Sequence, residues 1–377
     1  MTMRPLHISF PGKLVFGNGC TKQLPDELAT LAPSRIFIVT ITPLLPALDD
    51  LIRLLEKKGI HIAIYTGITR EPSFTDFHRV MAEATPFDPD LVLGIGGGSV
   101  LDIAKLVAAQ LDNEQQLADY VGIGLLKGRK RTLVCMPATS GTGSEVSPNA
   151  ILVDDADNQK KGIISPWLVP DIVYVDPLLT ISVPPAITAA TGLDALTHCL
   201  EAYTNKFAQP FIDLYAYEGM RLIAANLVRA VQNGADEEAR SAVAMGSLLG
   251  GFCLGPVNTA AVHALSYPLG SSYHLPHGLS NALLLPYVME FNLPASPQRH
   301  TQVAHALGCT TATEGVEKIR SLIRECGLPS TLKEVGVPYD AIDNLAADAM
   351  KITRLLNNNP RPVTLQDAID IYRSAYE

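Results

Sequence analysis

The chain has 377 residues and a formal net charge of −9, and its length predicts two domains at about 150 residues per domain. The acidic excess argues against a nucleic acid or an anionic membrane surface as a partner. The six cysteines form no C-x-x-C pair, which is typical of reduced thiols in a cytoplasmic protein. The N-terminal residues contain no uninterrupted apolar h-region, so no signal peptide is expected.

The first part of the chain alternates predicted strands and helices. Arg35 to Thr40 and His61 to Tyr65 have the composition of strands, whereas Leu44 to Lys58 and Phe74 to Ala84 have the apolar spacing of helices. Leu91 to Ile95 is apolar on both faces, which indicates a buried strand. This order predicts a parallel sheet covered by helices, the arrangement of dinucleotide-binding domains.

Three glycines follow the buried strand directly. Gly96, Gly97 and Gly98 with Ser99 precede an amphipathic helix, so their backbone can approach a pyrophosphate at the helix N-terminus. Glycine triplets also occur in ordinary turns, but the position between a strand and a helix favours phosphate binding. The triplet does not match G-x-G-x-x-G and follows a later strand than the first, so an ordinary Rossmann domain is not predicted.

A second candidate nucleotide segment, PATSGTGSEVS, follows the predicted strand Thr132 to Met136. Its hydroxyl groups and glycines could bind phosphate and ribose or only cap a helix. Ala150 to Val153 and Ile172 to Val175 are predicted as further strands. Prolines between Asp176 and Pro185 mark a hinge, which divides the chain into domains at 1–180 and 181–377.

The second half is predicted to be almost wholly helical. Its predicted helices include Ala186 to Tyr203, Phe211 to Asn233, Glu237 to Gly250, Thr313 to Cys326 and Leu365 to Tyr376.

The segment from Ser241 to Met289 contains no Asp, Glu, Lys or Arg, which predicts the interior of a helical domain. Within it lie His263, His274 and His277. Glycines and prolines interrupt the segment before about 20 apolar residues accumulate, so no membrane span is predicted.

Asp194 is the only charged residue between Asp176 and Glu201, and His198 follows it on the same helix face. A lone buried histidine is more often a hydrogen-bonded core residue than a ligand. However, an unpaired buried carboxylate needs a cation, and packing alone does not require this pair with two further histidines. We therefore predict a divalent metal, Fe(II), Zn(II), Mn(II) or Co(II), bound by Asp194, His198, His263 and His277.

Five segments carry a family resemblance: GGGSVLDIAK (96–105), PATSGTGSEVS (137–147), KKGIISPWLVPDIVYVDP (160–177), GLDALTHCLEAY (192–203) and AVHALSYPLGSSYHLPHGLSNALLLP (261–286). They resemble the iron-containing (group III) alcohol dehydrogenase family. The resemblance implies an N-terminal α/β NAD(P)-binding domain and an all-helical C-terminal domain, with a catalytic metal in the cleft between them. Dehydroquinate synthase has a similar architecture. A homodimer is a further expectation of the resemblance.

The resemblance also assigns site residues. It places the metal ligands at the four positions already selected and the cofactor loop at Gly96, Gly97, Gly98, Ser99 and Asp102. The second nucleotide segment falls on Thr139, Ser140 and Thr142.

Two positions depart from the family pattern. Members often carry a histidine four residues after the third ligand, where this chain has Tyr267. A phenol titrates near about 10 and not near neutrality, so His274 could replace it in a proton relay. NAD-preferring relatives often have an aspartate that binds the adenosine ribose, where this chain has Ile41. Both NAD and NADP therefore remain candidates.

The predicted function is reversible, metal-dependent, NAD(P)-linked oxidation of a small alcohol to its aldehyde or ketone by hydride transfer. The predicted substrate is a small, uncharged or weakly charged primary alcohol or its aldehyde. One alternative is an enzyme similar to dehydroquinate synthase, whose polyanionic substrate calls for the basic residues that the charge-free segment lacks. A second is an enzyme similar to maleylacetate reductase, but that branch lacks the aspartate ligand that Asp194 provides. A metal or nucleotide binder without catalytic activity is the third.

Overall fold

The computed structural model describes residues 5–157 and 159–377. In chain order its strands are β1 (Lys13–Phe16), β2 (Arg35–Val39), β3 (His61–Tyr65), β4 (Leu91–Gly96), β5 (Gly122–Ile123), β6 (Thr132–Pro137), β7 (Asn149–Asp154), β8 (Gln159–Ile164) and β9 (Ile172–Val175).

The helices of the first half are α1 (Leu24–Thr30), α2 (Leu45–Lys57), α3 (Phe74–Phe87) and α4 (Gly98–Gln110). Those of the second half are α5 (Pro185–Thr204), α6 (Pro210–Gln232), α7 (Glu237–Leu254), α8 (Ala261–Tyr273), α9 (His277–Asn292), α10 (Pro297–Ala306), α11 (Ala312–Glu325), α12 (Ile342–Ala349), α13 (Thr353–Leu356) and α14 (Leu365–Ser374).

The main sheet has the strand order β1-β9-β6-β4-β2-β3, and neighbouring strands are parallel throughout. Successive residues of β4 enter different hydrophobic cores, as Val92 and Leu93 illustrate, because alternate side chains point to opposite faces. The predicted parallel sheet covered by helices is confirmed. Its edge strand β1 was not predicted from the sequence.

A smaller sheet has the order β5-β8-β7. The prediction that Ala150 to Val153 forms a strand is confirmed by β7, but β7 pairs antiparallel with β8 and lies outside the parallel sheet. The sequence did not predict β8, because Gln159, Lys160 and Lys161 at its start are not typical of a strand.

The chain divides into two compact units, and the division nearest the predicted hinge falls between Ile181 and Ser182. One unit comprises Ile8–Thr139 and Ser144–Ile181 and contains both sheets. The other comprises Ser182–Glu377, the short segment Ser140–Gly143 and residues 5–7. The predicted helical second half is confirmed.

Helix α5 forms the centre of the helical unit. Almost every residue from Thr188 to Thr204 is buried, and α5 packs against α6, α7 and α9. A helix enclosed on this many sides must satisfy its polar side chains within the protein. In residues 5–157 and 159–377, no helix has both the length and the apolar character to cross a bilayer.

Candidate functional site

Helix α5 carries three polar side chains along one buried face. Asp194, His198 and Glu201 are spaced at i, i+4 and i+7, so their side chains lie one above another. His263 lies in the first turn of α8, and His277 is the first residue of α9. Two helix starts thus meet the middle of a third helix.

These side chains converge on Asp194. Its Oδ1 atom lies 3.6 Å from Nε2 of His263, 3.6 Å from Nε2 of His277 and 3.8 Å from Nε2 of His198. The ligand atoms of Asp194, His263 and His277 all lie within 4.8 Å of one another. A tetrahedral cation with bonds of about 2.1 Å holds its ligands about 3.4 Å apart, so the observed spacing fits a metal. His198 lies beside this group, with its ring stacked on that of His263 at a centroid distance of 4.8 Å.

The group is buried and strongly coupled. Burial opposes ionisation of Asp194, but the imidazoles of His198, His277 and His263 outweigh it and hold the pKa of this carboxyl well below its usual range. Burial lowers the pKa of His198. Because His198 is then favoured in its neutral form, its ring is suited to bind a cation.

Glu201 was not predicted from the sequence as a site residue. It is 3% exposed, and its Oε2 atom lies 2.6 Å from Nδ1 of His263. The carboxylate also accepts hydrogen bonds from the backbone N–H groups of Ala260 (2.9 Å) and Val262 (2.6 Å). Although burial opposes protonation, Glu201 and Asp194 raise the pKa of His263 to about 9. Glu201 thus joins α5 to the start of α8 and turns Nε2 of His263 towards Asp194.

Asn281 is a second buried site residue that the sequence analysis did not select. Its amide nitrogen Nδ2 lies 2.7 Å from Oδ1 of Asp194, 3.1 Å from Nε2 of His263 and 3.4 Å from Nε2 of His277. One turn of α9 separates it from His277, so both side chains reach the same group.

Gly278 explains how α9 approaches α5 closely enough to form this group. A Cβ atom at Gly278 would lie 2.2 Å from the backbone oxygen of Ala190 and 3.2 Å from Cβ of Asp194. Only glycine fits this contact without moving the helices. The contact places His277, the neighbouring residue, against Asp194.

The two residues predicted to take part in a proton relay are placed differently. The ring of Tyr267 lies one turn beyond His263 and 6.0 Å from the ring of His277, between centroids. His274 is exposed at the end of α8, where its backbone is left-handed with φ 54°. Tyr267 thus lies close to the predicted ligands, whereas His274 is the C-cap residue of α8.

The predicted phosphate loop runs directly from strand to helix. Gly96 ends β4, Gly97 caps α4, and Gly98 with Ser99 forms its first turn. In the sheet, β3 pairs with one edge of β2 and β4 pairs with the other, so the direction in which strands are added reverses between β3 and β4. The loop after β4 therefore lies at a switch point of the sheet, where α/β proteins bind ligands. The first N–H groups of a helix generally lack an intrahelical partner, so this helix start is suited to an anion.

Three predicted nucleotide segments follow neighbouring strands. Ile41 comes after β2, the glycines after β4 and Thr139 after β6, so all lie at the carboxyl edge of the parallel sheet. A Cβ atom at Gly97 would lie 3.5 Å from Oγ1 of Thr139, so these two segments are neighbours. Ser140 and Thr142 belong to the helical unit, where Gly143 lies against α7.

Asp102 connects the phosphate-loop helix to the following segment. Its carboxylate accepts hydrogen bonds from Oγ of Ser144 and from the backbone N–H of Ile151 at 2.9 Å. The buried Lys105 ammonium, one turn later, donates to the carbonyls of Ser147 (2.9 Å) and Asn149 (2.8 Å). In this structure Asp102 therefore supports the nucleotide segment through protein contacts.

Glu145 is a buried carboxyl group near Lys105. Burial raises the pKa of Glu145 to about 7, against the smaller effects of its own backbone N–H and the Lys105 ammonium. Burial also lowers the pKa of Lys105. Neither residue was predicted from the sequence to have a role in the site.

A glycine-rich helix start at the switch point and a buried set of nitrogen and oxygen ligands define the class of metal-dependent, nicotinamide-linked dehydrogenases. Residues 11–177 match the family model for iron-containing alcohol dehydrogenase, and residues 188–376 match that for the C-terminal part of the Fe-containing alcohol dehydrogenase family. The chain belongs to the iron-containing alcohol dehydrogenase family, which confirms the resemblance, and it is a metal-dependent alcohol dehydrogenase.

Individual relatives agree with this assignment. The chain is 37% identical to long-chain-alcohol dehydrogenase 1 of Geobacillus thermodenitrificans over 99% of this chain and 98% of that protein. Its fold is similar to that of 1,3-propanediol oxidoreductase, with a TM-score of 0.94, 33% identity and coverage of 99% and 100%. It is also similar to sulfoacetaldehyde reductase from Bifidobacterium kashiwanohense in complex with NAD+, with a TM-score of 0.90, 27% identity and coverage of 99% of each chain. NAD and a divalent metal are the cofactors that these similarities support, and the dehydroquinate synthase and maleylacetate reductase alternatives are not favoured.

Proposed function

We propose that this chain interconverts a small, uncharged primary alcohol and its aldehyde, with Fe(II) held by Asp194, His198, His263 and His277. The observation that carries the proposal is the convergence of the ligand atoms of Asp194, His263 and His277 within 4.8 Å inside the helical unit. The functional domains are those expected from the sequence, 1–180 for the nucleotide and 181–377 for the metal.

The ligand set suits catalysis on a neutral oxygen. With the metal bound and the imidazoles neutral, Asp194 is the one negative group among the four proposed ligands, so these ligands leave one positive charge of a divalent cation uncompensated. The nearby Glu201 carboxylate is bound to the His263 ring and to two backbone N–H groups. Burial of Asp194 and His263 keeps water from screening this charge. When bound, the metal would polarise the substrate oxygen and the nicotinamide would exchange a hydride with the substrate carbon. Nitrogen and oxygen ligands suit Fe(II), with Zn(II) as the alternative metal.

The dinucleotide is assigned to the carboxyl edge of the parallel sheet. The backbone N–H groups at Gly96, Gly97, Gly98 and Ser99 bind the pyrophosphate, because a helix N-terminus favours an anion. The hydroxyls of Thr139, Ser140 and Thr142 bind phosphate or ribose, and Asp102 holds their segment in place. Ile41 has no carboxylate to repel a 2′-phosphate, so the chain accepts NADP as well as NAD.

Tyr267 and His274 are the proposed proton-relay residues. The 6.0 Å separation between the rings of Tyr267 and His277 supports a place near the reacting oxygen. His274 is proposed because it lies in the same charge-free segment, residues 241–289. Replacing His274 by Asn keeps a residue that tolerates the left-handed backbone. A role for His274 requires a changed pH profile of kcat in that variant, and an unaltered profile excludes it.

The proposed substrate is uncharged because residues 241–289 contain no Lys or Arg to bind an anionic group. The similar sulfoacetaldehyde reductase makes an anionic aldehyde the appropriate comparison substrate. A kcat/KM for the sulfonated aldehyde well above that for neutral aldehydes of similar length contradicts the proposal.

One experiment tests the proposed centre directly. The protein is stripped with a chelator, its metal content is determined, and Fe(II) or Zn(II) is added back before alcohol oxidation is measured with NAD and NADP. We expect activity to be lost on stripping, to return with the metal, and to be absent in His263→Ala. Full activity of the stripped wild-type protein contradicts the proposal.

Assembly and location are also proposed. We expect a homodimer, by the family resemblance, and size-exclusion chromatography with light scattering measures it. A cytoplasmic location is supported by the six cysteines, which are free thiols in this structure. Cell fractionation tests the location.

A further inference from the structure

Asn281 occupies an unusual position among the predicted ligand atoms. Its side chain is completely buried in α9, and its Nδ2 atom faces Asp194, His263 and His277 at 2.7 to 3.4 Å. An amide group has two N–H donors, whereas three atoms surround it here: a carboxylate oxygen and two imidazole nitrogens, which accept when they are unprotonated. The amide therefore cannot satisfy all of the atoms that converge on it.

The three contacts of the Asn281 amide differ in whether they can persist when a cation is bound. A neutral imidazole has one ring lone pair, so Nε2 of His263 or His277 cannot bind both a metal and the amide N–H. A carboxylate oxygen has two lone pairs, so Oδ1 of Asp194 can accept from Asn281 while it also binds a metal. The 2.7 Å bond to Asp194 is the shortest of the three and the one compatible with a bound metal.

The amide oxygen of Asn281 shows which neighbouring group sets the orientation of the amide. Oδ1 of Asn281 is buried and accepts no hydrogen bond within the described part of the chain. Leaving a buried acceptor unpaired is unfavourable, and turning the amide would place this oxygen against the Asp194 carboxylate. Asp194 therefore holds the amide in the orientation observed, and the amide in turn holds Asp194.

We infer that Asn281 is a positioning residue of the metal centre, which keeps Oδ1 of Asp194 directed at the imidazoles before and after the metal binds. The inference rests on the proposed metal centre and adds a residue to it. Hydrogen-bond partners of metal ligands usually contribute about 10- to 100-fold to metal affinity. Removal of the amide donor is therefore expected to weaken metal binding by a factor in this range.

The test compares Asn281→Leu, which has a similar volume and no polar atoms, with Ser280→Ala as the matched control. Ser280 is the adjacent buried residue of α9, and its hydroxyl donates to the carbonyl of Pro276 at 3.2 Å. The dissociation constant for Co(II) is measured in a chelator buffer, and the visible absorption of the Co(II) protein reports the ligand geometry. We expect weaker binding and an altered spectrum for Asn281→Leu, and wild-type behaviour for Ser280→Ala.

Two other results overturn the inference. If Asn281→Leu has the same Co(II) affinity and spectrum as wild type, the side chain only fills space. If Asn281→Leu binds Co(II) more tightly than wild type, the amide only competes with the metal. If Asn281→Leu does not fold, Asn281→Ser carries the same test, with weaker binding expected and wild-type affinity as the contrary result. Failure of wild-type protein to bind Co(II), or equal binding by His263→Ala, instead contradicts the proposed centre itself.

The Asn281→Asp variant distinguishes the effect of the N–H donor from the effect of side-chain shape. This variant keeps the size of the side chain but places an acceptor beside the carboxylate of Asp194. We expect the thermal midpoint of the metal-free protein to fall at least as far as in Asn281→Leu. A wild-type midpoint in the metal-free Asn281→Asp protein shows that the N–H donor is not needed.

Discussion

The Nδ1–H group of His263 donates to Oε2 of Glu201 across 2.6 Å, which leaves Nε2 as the nitrogen that faces Asp194. A carboxylate partner of this kind fixes both the tautomer and the ring orientation of a metal-binding histidine. The same carboxylate binds the backbone N–H groups of Ala260 and Val262, so one side chain positions both the ring and the helix start that carries it.

Glu201→Gln is expected to weaken metal binding by about 10- to 100-fold and to lower the thermal midpoint. The amide oxygen can still accept hydrogen bonds, but the side chain loses one acceptor oxygen and the charge that favours the donating form of the His263 ring. Metal content after dialysis and the metal dissociation constant measure the effect, with Glu238→Gln on the exposed start of α7 as the control. Wild-type metal content in Glu201→Gln would exclude this role.

Gly278→Ala is expected to destabilise the protein by about 1–3 kcal/mol, as overpacked contacts do, and to reduce metal occupancy. The added methyl group would meet the carbonyl of Ala190, so α9 and His277 must move away from α5. Chemical denaturation and metal analysis test both effects. Gly128→Ala is the control, since no atom lies within 4 Å of a Cβ there. Loss of stability without loss of metal would show that the contact serves packing alone.

Ile41→Asp is expected to lower kcat/KM for NADP by about tenfold or more relative to NAD, because like charges brought together cost several kcal/mol. Ile41 follows β2 at the edge assigned to the nucleotide, where a carboxylate would repel a 2′-phosphate. Steady-state kinetics measure the ratio of kcat/KM for NADP to that for NAD. The control is Ile41→Asn, whose side chain has a shape similar to aspartate but no charge. An unchanged ratio in Ile41→Asp places the adenosine ribose elsewhere.

Glu145→Gln is expected to become more stable than wild type as the pH rises. The folded state raises the pKa of Glu145 from 4.5 to about 7, so it holds the proton more tightly than the unfolded chain does. Wild-type stability therefore falls between these two pH values, by roughly 3 kcal/mol at most, and the amide variant avoids this loss. Urea denaturation at pH 4.5 and pH 8 measures the difference, with the exposed Glu56→Gln as the control. An equal pH dependence in wild type and Glu145→Gln contradicts the expectation.

Most residues of the proposed metal centre could be predicted from the sequence because charged residues are rare around them. Asp194 and His198 stand out by their spacing and isolation, and His263 and His277 stand out in a segment without charged residues. Glu201 lies at the next position of the same helix face, but its partner is 62 residues away and only the fold brings them together. Asn281 carries no charge, so no pattern distinguished it from other buried amides.

The strands, too, could be predicted from the sequence only in part. The parallel strands were predicted because their apolar runs are continuous, as in β4, where all six residues are buried. In contrast, β8 begins with exposed or half-buried polar and basic residues, and its strand conformation is accompanied by pairing with β7, which the local sequence does not indicate. The role of Asp102 as a support for Ser144 and Ile151 also depends on contacts between distant segments, 42 and 49 residues apart.

Exposure is unequal among the four predicted ligands. The side chain of His277 is 30% exposed, whereas those of Asp194, His198 and His263 are 6% exposed or less. His277 is therefore the most exposed of the four proposed ligands, and we expect a chelator to approach the proposed metal centre from its side. A bulky chelator is expected to extract a bound metal more slowly than a small one of equal affinity, because three of the four proposed ligands are enclosed by protein.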